Sequence, residues 1–558
     1  MKKLLMLALL GVFVSGALMA QSAYITFNRD YYHLLDRYEI LKGDFNPYFH
    51  SGIKPYRRDD VAPFLTSLNS DGLNRVDQFN LQYLKNDNWE FVDEETDKSN
   101  NPLWNTIYSK PSDFYFHRDD VFDVHVNPVI YFRGGSDSNQ DEMNFRNTRG
   151  VVLRGSIDRK VGFYTYFTSN EVIFPSWTSD YARHNGAVPG EGFWKPYGDN
   201  GYSYFSARGY VTAQVSKHIS AQMGHDKNFV GEGYRSMILS DFSNAYMFFK
   251  LNTRVWKLQY TNLWAQMNAD VFLNGNGRPT DGRYPKKWFS MHRLGMNLGK
   301  RFNLGVFESV MANQADWSYY NPVIFFRWVE HQLGTPDQVM VGTDFKWNFA
   351  KSMQLYGQFA LDEFVFGEFF GIDGKNSSRN KHGLQVGYKY IEVFNIPHLD
   401  LQLEYNQARP YTYQEKQEYQ AYTNYRTPLT NPRGANFREM ISIVRYQPLP
   451  KLSLNFTGVY HYYGADPDEE TNMGGDLLKN RLQGTDGLGL YGHTIGQGVE
   501  NKMMVGSLTA SYMLRHNLFL DLGHSYRRRT AQDLDSPEVT NYSQLSLRVN
   551  IGREDYNY

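Results

Sequence analysis

The chain has 558 residues, of which 16% are aromatic, including 42 Tyr and 38 Phe, and it carries 58 Lys and Arg against 59 Asp and Glu. That balance leaves no basic face for nucleic acid. The absence of cysteine excludes a disulfide frame, a Cys-ligated metal, a thiol nucleophile and a lipid anchor on an N-terminal cysteine.

Lys2 and Lys3 precede the apolar run LLMLALLGVFV and then small residues, the pattern of a secretory signal. Cleavage is placed after Ala20, with Ala17 and Ser15 marking an alternative. The run is too short for a transmembrane anchor. Residues 1–20 are therefore read as a signal peptide.

Three helices follow. Asn28 caps the first, with Tyr31, Leu34, Leu35 and Tyr38 on one face. Asp60 caps the second, with Val61, Phe64, Leu65 and Leu68 aligned and Pro63 tolerated in its first turn. Asp71 precedes the third, with Val76, Phe79, Tyr83 and Leu84 aligned. The acidic stretch VDEETDKSNN reads as an exposed linker. Residues 21–118 are assigned to a helical segment and linker on the periplasmic side.

From about Val121 the period becomes two. Leu399, Leu401, Leu403 and Tyr405 alternate with Asp400, Gln402, Glu404 and Asn406, and Leu545, Leu547, Val549 and Ile551 with Ser546, Arg548 and Asn550. One face is apolar and the other polar. Short connections are read near 158–160, 217–218, 252–253, 300–301, 350–351, 393–398, 448–451 and 515–516. They alternate with long polar or aromatic segments along the whole region, including 226–244, 312–338 and 406–436. Tight turns at one end and long loops at the other are the mark of a transmembrane antiparallel β-barrel. About eighteen strands are expected, with residues 119–558 forming an all-β barrel and the long loops extracellular. Closure satisfies every backbone polar group inside lipid, and the aromatic excess suits two interfacial girdles. A propeller would show a repeat of 40–50 residues, and none is found.

The search for catalytic chemistry is nearly empty. There is no His-Glu-x-x-His and no Gly-x-Ser-x-Gly elbow. Asp362 and Glu363 are strand neighbours and point to opposite faces, so they make no acid/base pair. No cofactor or metal is expected, and the chain reads as non-enzymatic. The long loops carry Trp177, Phe193, Trp194, Tyr197, Trp317, Tyr319 and Tyr320, with Arg235, Arg278 and His331 nearby. Aromatic faces pack on sugar rings and Arg forks grip carboxylates, so Trp177, Trp194, Tyr197, Arg235, Trp317, Tyr319 and Tyr320 are the candidate polysaccharide-binding residues. The bland alternative is that these aromatics fold the loops or sit at the interface. GHDKNFVGEGYRSMILSDFSNAY, from Gly224, holds Gly231-Glu232-Gly233. Ser236 stands where a nucleotide-binding motif needs its third glycine, so residues 227–243 are read as an external loop and the glycines as a tight turn over the barrel mouth.

That stretch, with HRLGMNLGKRFNLGVFESV at 292–310, YYNPVIFFR at 319–327, VGTDFKWNFAKSMQLYGQFALDEF at 341–364 and IKPYRRDDV near the N-terminus, resembles the capsule-assembly Wzi family of outer-membrane proteins. The resemblance spans roughly Tyr24 to Tyr405. It extends to RemB-type gliding-motility proteins that share the architecture. Glu232 departs from the family's frequent Gly-Pro-Gly. The resemblance implies an outer-membrane barrel with periplasmic helices, in contact with lipid and with capsular or other surface polysaccharide. The implied role is to attach or organise that polysaccharide without catalysis. The alternatives are a component of a gliding-motility or secretion apparatus acting through other envelope proteins, or a diffusion channel.

Overall fold

The computed structural model describes residues 22–69, 72–92, 106–269, 284–334, 337–369, 376–417, 420–482 and 489–558. The signal sequence, Asp71, Arg278 and all of the acidic stretch but Val92 lie outside them.

Eighteen antiparallel strands, from β1 (Phe122–Asp137) to β18 (Glu538–Val549), each pair with their chain neighbours, and β18 closes on β1 with Tyr542 opposite Asp137 and Val549 opposite Ile130. Eight short connections alternate with nine longer ones. Among the described residues no helix is long and apolar enough to cross a membrane.

Burial along the strands is inverted relative to a water-soluble protein. On β13 (Leu399–Ala408) Asp400, Gln402, Glu404 and Asn406 are buried while Leu403 is 43% exposed. Leu522, Leu545, Met440 and Phe205 are likewise exposed, whereas Arg154, Lys389 and Arg548 are buried. Apolar side chains face outward and polar ones face the lumen, as a lipid-exposed wall requires.

One turn falls elsewhere than its composition suggests. Asn252 and Thr253 lie within β6 (Tyr246–Val255), and the reversal comes at Trp256-Lys257. Asn252 faces Thr261 across the strand pair and accepts its hydroxyl at 2.8 Å, so the turn-like dipeptide is a cross-strand contact.

The polar lumen faces are buried because the barrel is filled. Helices α1 (Arg29–Lys42), α2 (Arg58–Thr66) and α3 (Arg75–Asp87) sit at the short-turn end. Asn28 caps α1 through Asp30 N and Tyr31 N, and Asn74 caps α3. α2 begins before Asp60, with Asp59 and Asp60 both in its first turn, so Pro63 stands inside the helix. The three share an apolar core of Tyr31, Leu35, Tyr38, Val61, Phe64 and Leu84. They touch the short turns: Phe45 N donates to Lys300 O at 2.7 Å, Asn80 and Gln447 exchange amide bonds, and Tyr83 Oη reaches Asn517 Oδ1 at 2.6 Å.

Candidate functional site

Two further segments enter the lumen. Residues 227–245, between β5 (Ile219–Asp226) and β6, do not project outward. Phe229 and Val230 pair with Lys54 and Ile53 of the N-terminal segment, forming a two-stranded ribbon inside the barrel. This corrects the expected external loop: its polar groups find partners on the inner wall. Glu404 accepts from Tyr234 N at 2.7 Å, Arg235 N at 3.0 Å and Tyr356 Oη at 2.8 Å. Gln358 accepts from Met237 N at 2.7 Å and donates to Val230 O at 2.8 Å. These bonds pair several of the loop's buried backbone groups with the wall.

The two glycines are there for close approach. Gly231 has φ +115°, and a Cβ on it would stand 2.2 Å from Gln358 Nε2; one on Gly233 would stand 2.7 Å from Gln385 Nε2 and from Glu404 Oε2. No side chain fits either position without moving the wall. Glu232 between them accepts from Ser51 Oγ and lies 3.7 Å from Lys346 Nζ and 3.9 Å from Lys54 Nζ. Lys54 Nζ also donates to Gly231 O at 2.6 Å. Burial alone would raise the Glu232 carboxyl; Lys346, Lys54 and Lys389 outweigh it and hold the carboxyl well below its ordinary value. Burial pushes the Lys54 ammonium the other way, below its ordinary value.

The second segment is 550–558, after β18, which runs back up the lumen. Arg146 pairs with Glu554, Arg133 Nη2 donates to Tyr556 Oη at 3.1 Å, and Trp177 Nε1 donates to Tyr556 O at 3.0 Å. Arg235 joins the pieces. Its Nε lies 3.2 Å from Glu439 Oε1 on β14 (Phe437–Leu449), and its Nη2 donates to Asn557 O. The connection at 409–436 closes over the inserted loop, with Tyr413 Oη and Tyr422 Oη donating to Met237 O and Ile238 O at 2.8 and 2.9 Å.

Between these segments and the wall lies a cavity of about 360 Å³, lined among others by Arg29, Tyr166, Arg208, Asp241, Arg445 and Arg553. Its charges are largely matched: Arg208 to Glu191 at 3.1 Å, Arg29 to Asp241 at 3.7 Å and Arg553 to Asp30 at 3.6 Å. At the short-turn end Asp77, Glu392 and His398 bring ligand atoms within 4.8 Å of one another. Two of the three carboxylate and imidazole groups are already paired with Arg37, which lies 3.4 Å from Asp77 and 2.6 Å from Glu392, with a third bond of 2.6 Å to Asp400.

The polysaccharide candidates do not converge. Trp177 and Arg235 are buried among the lumen segments. Trp194 is half-buried against Tyr202, with ring centroids 4.7 Å apart, and Tyr197 is exposed at the outer rim beside Phe145. Trp317 is exposed, Tyr319 is buried with its hydroxyl on Asp337 at 2.8 Å, and Tyr320 is half-buried. These last three belong to a connection packed on the outside of the wall. Sequence reasoning missed the inserted C-terminal segment: "REDYNY" carries no period and no motif.

Architecture and site together define an eighteen-stranded membrane-type barrel with a plugged lumen. No family model and no curated protein sequence matches the chain. Among solved structures it is similar to Wzi of Escherichia coli, an outer-membrane protein involved in group 1 capsule assembly and described as a carbohydrate-binding β-barrel: 12% identity, TM-score 0.54, 96% of this chain and 100% of that one covered. It also matches OprD of Pseudomonas aeruginosa, at 9% identity, TM-score 0.41 and coverage of 76% and 94%, and OpdK of the same organism, with vanillate, at 11%, 0.42, 76% and 98%.

Proposed function

We propose that the protein is an outer-membrane barrel that attaches or organises surface polysaccharide without catalysis. Residues 1–20 direct export, the helical segment within 21–118 lies on the periplasmic side, and the long loops of the 119–558 barrel lie at the cell surface. The observation that carries this reading is the filled lumen. A barrel packed with its own helices, an inserted loop and a returning terminal segment is suited to holding a ligand at its surface rather than to passing one. The likeness to the Wzi barrel, which spans nearly all of both chains, supports it. Glycan contact is assigned to the exposed side of the connection after β3 (Val161–Ile173), which carries the 46%-exposed Phe193 with Trp194 and Tyr197 just after it. Trp177, Arg235 and Tyr319 serve the packing just described.

Deleting the gene tests this. Capsular material is expected to pass into the medium while its synthesis continues, and Trp194→Ala with Tyr197→Ala is expected to weaken retention in part. Full retention with a loss of gliding or secretion would overturn the reading in favour of a protein-partnered apparatus.

A further inference from the structure

The outer wall carries a feature that neither a sugar-binding loop nor a plug explains. On β9 (Phe302–Ala312) Leu304 and Val306 are exposed, and by the period of two Glu308, Val310 and Ala312 share their outward face. On β8 (Lys286–Leu298) His292 and Ser290 share the face of the exposed Leu294; on β10 (Gln338–Ala350) Val339 shares that of Val341. Yet Glu308, His292, Val310, Ala312 and Val339 are all buried.

Residues 313–334 cover them. This connection leaves β9 at the long-loop end, makes one turn at Trp317–Tyr320, and continues as a short helix, α4 (Phe326–Leu333). Tyr319, Phe326 and Val329 pack on Val310, Ala312 and Val339 as a small core outside the barrel. Glu308 accepts from the first two amides of α4, Phe326 N and Arg327 N, at 2.8 Å each, and lies 3.2 Å from His292 Nε2. The His292 ring stacks on Phe326 at 4.2 Å. Trp264 Nε1, on the outer face of β7 (Leu258–Asn268), donates to Tyr319 O at 3.1 Å. A carboxylate aimed at lipid is costly; here the connection supplies its hydrogen bonds and its cover.

The other side of the connection exposes large apolar side chains among the polar Asn321, Arg327, His331 and Gln332, the mixture of an amphipathic surface element. Trp317, Val323, Phe325 and Trp328 are 78%, 76%, 75% and 57% exposed. Four large apolar side chains exposed on one short connection mark an interaction surface. Strands β8 and β9 expose Leu294, Leu304 and Val306 on the outward face of the wall. Tryptophans at the rim of an apolar band, on a short element lying flat against it, belong where acyl chains meet headgroups.

We propose that residues 313–334 form a lipid-binding element, fastened to the outside of the wall by Glu308 and seated in the bilayer's interfacial layer at the long-loop end. Trp317, Val323, Phe325 and Trp328 contact lipid. The proposal rests on the barrel spanning a membrane, and its test separates the two. The chain has no cysteine, so Val323→Cys and Trp328→Cys can each carry a single nitroxide in phosphatidylethanolamine/phosphatidylglycerol vesicles. Leu522→Cys on the wall and Asp535→Cys in the last long connection are the lipid and water references. Collisions with oxygen are expected to dominate over collisions with a water-soluble nickel chelate at 323 and 328, as at 522. If 522 reads as lipid while 323 and 328 read as water, the proposal is overturned. It is also overturned if both sites are shielded from both reagents, because a protein partner or a second copy then covers the patch. If 522 reads as water, the membrane reading itself falls.

Discussion

Glu232 shows how a residue that departs from a motif can be the one that matters locally. It stands between two glycines whose missing side chains let the loop lie against Gln358, Gln385 and Glu404, and it gathers Ser51, Lys54 and Lys346 around one carboxylate. Its carboxyl is held well below the ordinary carboxylate range by Lys346, Lys54 and Lys389, so folding favours its charged form. Because the folded value is depressed, that stabilisation is present above the ordinary carboxylate range and is lost as pH falls through the depressed value. Protease cleavage of the inserted loop should therefore rise in acid. Glu232→Gln should raise it already at pH 7 and flatten the pH profile; an unchanged profile would remove Glu232 from this role. The glycine pair was visible in the sequence as a loop feature. Its purpose was not, because close approach involves wall residues more than a hundred positions away.

At the scale of elements the strands were the most legible. Their period of two fixes which side chains meet lipid, and inward placement of Arg154, Lys389, Glu404 and Arg548 follows from it. Turn positions were less so: Asn252-Thr253 has turn composition but serves a cross-strand pair. The helices followed their apolar spacing, while α2 starts earlier than its spacing suggests, with Asp59 and Asp60 in its first turn. What seats the helices was not legible at all. Arg37 binds Asp77 of its own segment and Glu392 and Asp400 of the barrel. Removing one partner of a buried ionic cluster costs roughly 3–5 kcal/mol. Arg37→Met should make the helical segment protease-sensitive while the barrel keeps its heat-dependent gel mobility. Equal protease resistance in the variant and the parent would show that the helices are held by other contacts.

For the whole molecule the decisive property is a lumen filled by three stretches distant in sequence. Purified protein in planar bilayers is expected to be electrically silent. Removing residues 551–558 takes Glu554, Tyr556 and Tyr558 from between Arg133, Arg146 and Tyr181, and should produce discrete openings; large steady conductance in the parent would instead support a diffusion channel. The sequence by itself determined the barrel, its approximate strand number, the alternation of turns and loops, and the side of each strand that meets lipid. These follow from local periodicity and from the need to satisfy backbone hydrogen bonds within a bilayer. Only the tertiary structure decided that one loop turns inward, that the last residues return through the lumen, and that another connection folds down the outer wall. Those choices depend on matching polar groups and shapes across long stretches of chain, which no local pattern records.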